Sequence, residues 1–111
     1  MKEGIKIYIA SQYSIGDHAL NTRSSLLVAD ELLKLGFVPF APLLSHFWHF
    51  LSPKNWDTWL EYDIQWMLVC DCVLRVPGAS KGADREVDIA LTEGIPVFYN
   101  IKDLQKFYKP K

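Results

Sequence analysis

The spacing of hydrophobic and polar positions changes several times along the chain, and each change marks an element. Ile5-Lys6-Ile7-Tyr8-Ile9-Ala10 is short and rich in β-branched residues, which predicts a first strand. Ser11 to Asp17 is polar, carries Gly16 and reads as a loop. From Asn21 onward Leu26, Leu27, Ala29, Leu32, Leu33 and Leu35 follow a helical period, and Gly36 supplies the stop. Phe37-Val38-Pro39-Phe40 predicts a second strand. Its proline argues for a sheet edge, because a central strand needs the N–H that proline lacks. Ala41 to Lys54 is aromatic and proline-bounded, a long connection with room for a short helix. Asn55 or Asp57 is placed to cap a helix running to about Val69, with Trp59, Leu60, Asp63, Trp66 and Met67 on related turns. Cys72 to Val76 predicts a third strand, ended by the turn residues Pro77-Gly78-Ala79. Ser80 caps a helix from Lys81 to about Glu93, closed by Gly94. Ile95 to Tyr99 predicts a fourth strand, and Lys102 to Tyr108 a last helix.

Strands alternating with helices through short links imply an α/β domain with a parallel sheet and helices on both faces. The expected strand order is 2-1-3-4. Such sheets bind ligands outside the carboxyl ends of the strands, where the order reverses. That crevice falls between strands 1 and 3, lined by Ser11–Asp17 and Pro77–Gly82.

Composition narrows the classes. The 111 residues fit one domain, residues 1–111, and half of them are hydrophobic, enough for a core. A domain this small is marginally stabilised by burial, so a homodimer or higher homo-oligomer is expected. The formal net charge of −1 and the lack of a basic stripe exclude binding of a nucleic acid polymer through its phosphates. The N-terminus carries no signal-peptide pattern. The longest mostly apolar stretch, Phe37–Leu51, is interrupted by prolines and histidines and is too short to span a bilayer, so no membrane is expected and the chain is placed in the cytoplasm. Cys70 and Cys72 would point to opposite faces of a strand, a poor geometry for a mutual disulfide, and they form no zinc site. They read as small buried residues in a reducing compartment.

The most informative stretch for chemistry is Pro77 to Ala90. Ala83, Val87, Ala90 and Leu91 form the expected buried stripe of its helix, and Gly82, Glu86 and Ala90 share a neighbouring face at intervals of four. Glu86 then lies on the border of the core with small residues above and below it, which leaves space for a ligand. The nearby helix N-terminus favours its ionised form, which suits a nucleophile. The competing reading is a solvated helix carboxylate paired with Lys81 or Arg85. Ser80 is an ordinary cap, or a cap that also holds a phosphate together with the free N–H groups of Lys81 and Gly82 and the Lys81 charge. Asp63, between Tyr62 and Trp66, is either an exposed helix carboxylate or a desolvated one with the raised pKa that a general acid needs. Asp71 reads as a loop or capping residue. Tyr8 is the one hydroxyl inside strand 1. His46 and His49 have no third metal ligand at suitable spacing, and with Phe47, Trp48 and Phe50 they suggest a packed flap able to stack on a nucleobase.

Taken in order, four blocks resemble the nucleoside 2-deoxyribosyltransferase-like superfamily, which includes the deoxynucleoside 5′-monophosphate N-glycosidases and small phage and bacterial relatives. They are Lys6-Ile7-Tyr8-Ile9-Ala10-Ser11, Gly36-Phe37-Val38-Pro39-Phe40-Ala41-Pro42, Asp63-Ile64-Gln65-Trp66-Met67 ending at Asp71, and Ser80-x-Gly82-x-x-x-Glu86-x-x-x-Ala90. The last is the most specific. The resemblance implies a small Rossmann/flavodoxin-like three-layer sandwich with four or five strands. It implies cleavage or transfer at an N-glycosidic bond through a covalent glycosyl–Glu86 intermediate, without cofactor or metal. Glu86 falls on the family's nucleophile, Asp63 on the aspartate that assists the leaving base, and Tyr8 on the tyrosine that orients the nucleophile. Ser80, with Lys81 beside it, leans toward a 5′-phosphate. Ser11, Gly82 and His46 are further expected substrate contacts. Family members often complete each other's sites with a residue near the C-terminus; no residue here matches it, and Asn100 is a candidate only. The alternative function is a non-catalytic nucleotide-sensing module of the same fold.

Overall fold

The computed structural model describes residues 4–11 and 16–108, apart from the side chain of His46. Four strands, β1 (Lys6–Ala10), β2 (Val38–Phe40), β3 (Cys72–Arg75) and β4 (Val97–Phe98), form one parallel sheet in the order β2-β1-β3-β4. Between them run α1 (His18–Lys34), a 3₁₀ turn (Pro42–Ser45), α2 (His46–Leu51), α3 (Trp56–Met67) and α4 (Lys81–Thr92), and α5 (Ile101–Phe107) follows β4. The class and strand order match the α/β expectation of a Rossmann- or flavodoxin-like sandwich.

Side-chain alternation along the strands divides the core into two layers. Ile7, Ile9, Cys72 and Leu74 pack against Leu32 of α1 and Leu104 of α5 on one face. Tyr8, Ala10 and Val73 pack against Met67 of α3 and against Ala83 and Ala90 of α4 on the other. The second face carries the polar residues of interest.

Local chemistry sets the ends of the helices. Asp17 accepts from the Leu20 N–H, so α1 begins at His18, three residues before the apolar period becomes visible at Asn21. Asn55 caps α3 through the Thr58 N–H, and Ser80 caps α4 through the Ala83 N–H. Gly94 closes α4 at φ +75°, a conformation that costs a residue with a Cβ. Pro39 lies in β2, at the sheet edge, as its missing N–H demands. The Val38 N–H donates to the Ile5 carbonyl on β1 at 2.8 Å. Pro39, one residue on, therefore has its nitrogen on the outer side, where no ladder bond is lost.

Some sequence expectations shift. Leu91 is exposed, and the buried stripe of α4 is Ala83, Glu86, Val87 and Ala90. Leu91 stands about 100° round the helix from Ala90, beyond the width that the sheet covers. Asp71 accepts from the Lys6 N–H at 2.7 Å and ties the start of β1 to the turn before β3. Cys70 and Cys72 are both free thiols, and burial pushes Cys72 up to about 12, so it stays protonated. No helix among the described residues is long and apolar enough to cross a membrane.

Candidate active site

Beyond the carboxyl ends of β1 and β3 lies a cleft of about 340 Å³. Its floor holds Ser11, Asp63, Ser80, Gly82 and Glu86, which the sequence had brought forward separately. Three elements deliver them. Ser11 follows the last residue of β1, Ser80 and Gly82 form the entry to α4, and Asp63 points from α3. The strand order reverses at this point, between β1 and β3.

Glu86 and Tyr8 form the centre. Tyr8 sits in a central strand with no solvent exposure, and its ring stacks on Phe40 at 5.8 Å. Its hydroxyl donates a hydrogen bond to Oε2 of Glu86. Glu86 is itself only 7% exposed, so it is not the solvated helix carboxylate that the sequence left open. Small residues on the same stripe, Ala83 and Ala90, leave the room it occupies.

The charge state differs from the expectation. Glu86 is in the second turn of α4, beyond the first turn in which the helix dipole acts strongly. Burial instead pushes its carboxyl up to about 8, and the Asp63 charge pushes the same way. The Tyr8 hydrogen bond and the Arg75 charge pull it back down. Burial likewise raises Asp63 to about 7, and its buried Oδ1 has no hydrogen-bond partner among the described residues. Tyr8 is raised well above 10, mainly by burial and then by Glu86, so its phenol remains a donor. Two carboxyl groups thus share one cleft. Only Glu86 has a donor and a cation favouring its ionised form, and near neutral pH the pair retains protons that exposed carboxyls would have lost.

Other candidates divide. Ser11 lines the cleft, and its buried Oγ has no hydrogen-bond partner among the described residues. Ser80 Oγ accepts from the Ala83 N–H at 3.1 Å, which leaves its own proton available at the cleft. At Gly82 an added Cβ would meet the Trp56 ring and Ser80 Oγ at 3.9 Å, so the glycine opens the cleft without being sterically required. Lys81 is exposed and outside the lining, and Lys54 is the lysine that borders the cleft. Asn100 caps α5, bonded to Asp103, and does not reach the cleft. The side chain of His46 lies outside the described residues.

The outer wall is the part that sequence reasoning did not assemble. Trp56, Trp59 and Asp63 recur at a helical spacing on α3, which is the signal that could have grouped them. His49 of α2 accepts at Nδ1 from Trp59 Nε1 at 2.8 Å and from the Lys54 backbone N–H at 3.2 Å. Trp48 packs edge-on against Trp59 and Tyr62, which locks α2 onto α3. Of the expected flap, Trp48 and His49 pack on α3 and His49 lines the cleft, whereas Phe47 and Phe50 are largely exposed. Trp66 turns away and stacks on Phe40. Among the described residues no group of three or more His, Cys, Asp or Glu side chains is arranged to hold a metal ion.

Parallel α/β sheets commonly bind ligands at the switch point, where this chain brings together a buried tyrosine–glutamate pair and an aspartate. Residues 5–100 match the family described as a domain of unknown function, DUF7768, and the chain belongs to that family. No curated protein matches it. Among solved structures it is similar to a 2-deoxyribosyltransferase from the psychrotolerant bacterium Bacillus psychrosaccharolyticus. The TM-score is 0.63 at 19% identity, over 83% of this chain and 69% of that one. At this identity the likeness is one of fold.

Proposed function

We propose that the cleft binds a nucleoside or its 5′-monophosphate and that the protein breaks the N-glycosidic bond, with Glu86 as nucleophile. The observation that carries this reading is the Tyr8–Glu86 pair, buried and oriented at a cleft that Asp63 also lines. The fold shared with a 2-deoxyribosyltransferase supports it. A Glu86 oxygen attacks the anomeric carbon as the bond to the base nitrogen breaks, and the bond's electron pair leaves with the base. The Asp63 proton goes to the departing base, directly or through water. Water or a second base then attacks the anomeric carbon and releases Glu86, with Asp63 taking up a proton. The division of labour parallels that of retaining glycosidases. Ser80 and the first N–H groups of α4 meet the 5′ end of the sugar. The aromatic wall of Trp56 and Trp59 flanks the base, because flat apolar rings suit a heterocycle.

The test is a panel of deoxynucleosides, ribonucleosides and their 5′-monophosphates, with free base followed chromatographically. Release by the native chain and its loss in Glu86→Gln support the reading. A second free base separates transfer from hydrolysis. Saturable nucleotide binding with no base released over the whole panel overturns it and leaves the sensing role.

A further inference from the structure

Among the described residues, Arg75 and Glu86 are the only buried ones that carry an ordinarily charged side chain, at 8% and 7% exposure. Both lie in one layer. Arg75 ends β3, and strand alternation puts it on the same sheet face as Val73, the face covered by α3 and α4. Its register partner is Ala10, two residues beyond Tyr8 on β1. The guanidinium donates to the Val76 carbonyl, to the Gly78 carbonyl at 2.7 Å and to Asp84 Oδ1 at 3.1 Å. The two carbonyls belong to the turn that leads into α4, and Asp84 precedes Glu86 by two residues on that helix. One planar, multiply donating group thus holds the turn and the helix start together, a task for which lysine lacks the geometry.

The charge has a second consequence. The Asp84 side chain is 70% exposed, so solvent weakens its hold on the guanidinium charge. The groups that act on Glu86 are Tyr8 from β1, Asp63 from α3 and Arg75 from β3. Tyr8 donates a hydrogen bond, Asp63 repels and Arg75 attracts, while His49 of α2 and Lys54, between α2 and α3, line the same cleft. We propose that Arg75 is a positioning residue for the Glu86 carboxylate, fixing the entry into α4 and placing a buried positive charge in the layer that holds the attacking group. This inference rests on the reading of Glu86 as the nucleophile.

The test compares Arg75→Met and Arg75→Lys with the native chain by two measurements. The first is a carbon-13 NMR titration of the Glu86 carboxyl, identified by its disappearance in Glu86→Gln, which needs no substrate. The second is the pH profile of kcat/KM. Arg75→Met is expected to raise the Glu86 midpoint by roughly one unit, the low end for loss of a nearby opposite charge. It moves the rate profile alkaline to match, with a roughly tenfold loss at neutral pH that recovers at higher pH. Arg75→Lys keeps the native midpoint but loses kcat at every pH, because charge survives and the clasp does not. If Arg75→Met does not fold, Arg75→Gln retains a donor without the charge and serves the same comparison. An unchanged midpoint in a folded, uncharged variant overturns the inference. A chain that releases no base yet shows the midpoint shift loses the glycosidic reading and keeps the Arg75–Glu86 coupling.

Discussion

Replacing Glu86 by Gln should make the protein more stable at alkaline pH. The change keeps the shape of the side chain and an oxygen to accept from Tyr8, exchanges the second oxygen for an amide NH2, and removes the ability to ionise. In the folded chain the carboxyl loses its proton near 8, against an ordinary value of 4.5. Below about 4.5 the proton is bound in both folded and unfolded chains, and the native residue costs nothing. Between 4.5 and 8 only the folded chain keeps the proton, so stability falls as pH rises. Above 8 the loss is complete. At about 1.4 kcal/mol per pH unit the span amounts to roughly 4–5 kcal/mol, and coupling to Asp63 makes about 3 kcal/mol the working expectation. That is a large share of the roughly 5–15 kcal/mol that holds a domain together. Urea unfolding of both chains at pH 5 and pH 9 measures it. The two midpoints should nearly coincide at pH 5, with the variant ahead by about 3 kcal/mol at pH 9. A gap independent of pH, or a variant less stable at pH 9, would refute the burial argument.

Other expectations follow from the same cleft. The rate of base release should be bell-shaped in pH, with apparent limbs near 7 and 8 that belong to the Asp63–Glu86 pair. Attack needs one of the two carboxyls ionised and the other protonated, and a profile flat from pH 5 to 9 would contradict this. Tyr8→Phe retains the stacking on Phe40 but leaves Glu86 without its donor. It should lower kcat about 10–100-fold and cost roughly 1–3 kcal/mol in urea unfolding. Ser80→Ala removes the cap of α4, a loss of about 1 kcal/mol. It should also raise KM for a 5′-monophosphate more than for the matching nucleoside, and equal changes would take Ser80 away from the phosphate.

Much of the fold was legible because local signals agreed. Ser80, Asn55 and Gly94 stand where the backbone needs a cap or a positive φ, and Pro39 marks the edge strand. The floor of the cleft was legible for a related reason. Gly82, Ala83 and Ala90 mark a helix face with room beside Glu86, although the spacing alone also allowed a solvated carboxylate there. What stayed hidden depends on tertiary contact. The His49–Trp59 bond joins two helices through a tight turn, and nothing in the spacing of Ala41 to Lys54 reveals which ring edge faces the ligand. Lys81 looked like the cation of the site because it follows Ser80, yet at that helix position it projects into solvent. Arg75 closes an apolar strand, and nothing in the sequence marks it as buried. Its burial follows from carbonyls supplied by the turn after it.

The proline of β2 has an effect beyond marking its place in the sheet. Of the three residues in that strand, its nitrogen is the one turned toward the outside, and it has no hydrogen to offer. An unfolded neighbour or a stray peptide seeking to extend the sheet finds no donor there. Extension of the sheet on that flank therefore loses one donor bond and is left with the Pro39 carbonyl, while the ladder to β1 is untouched.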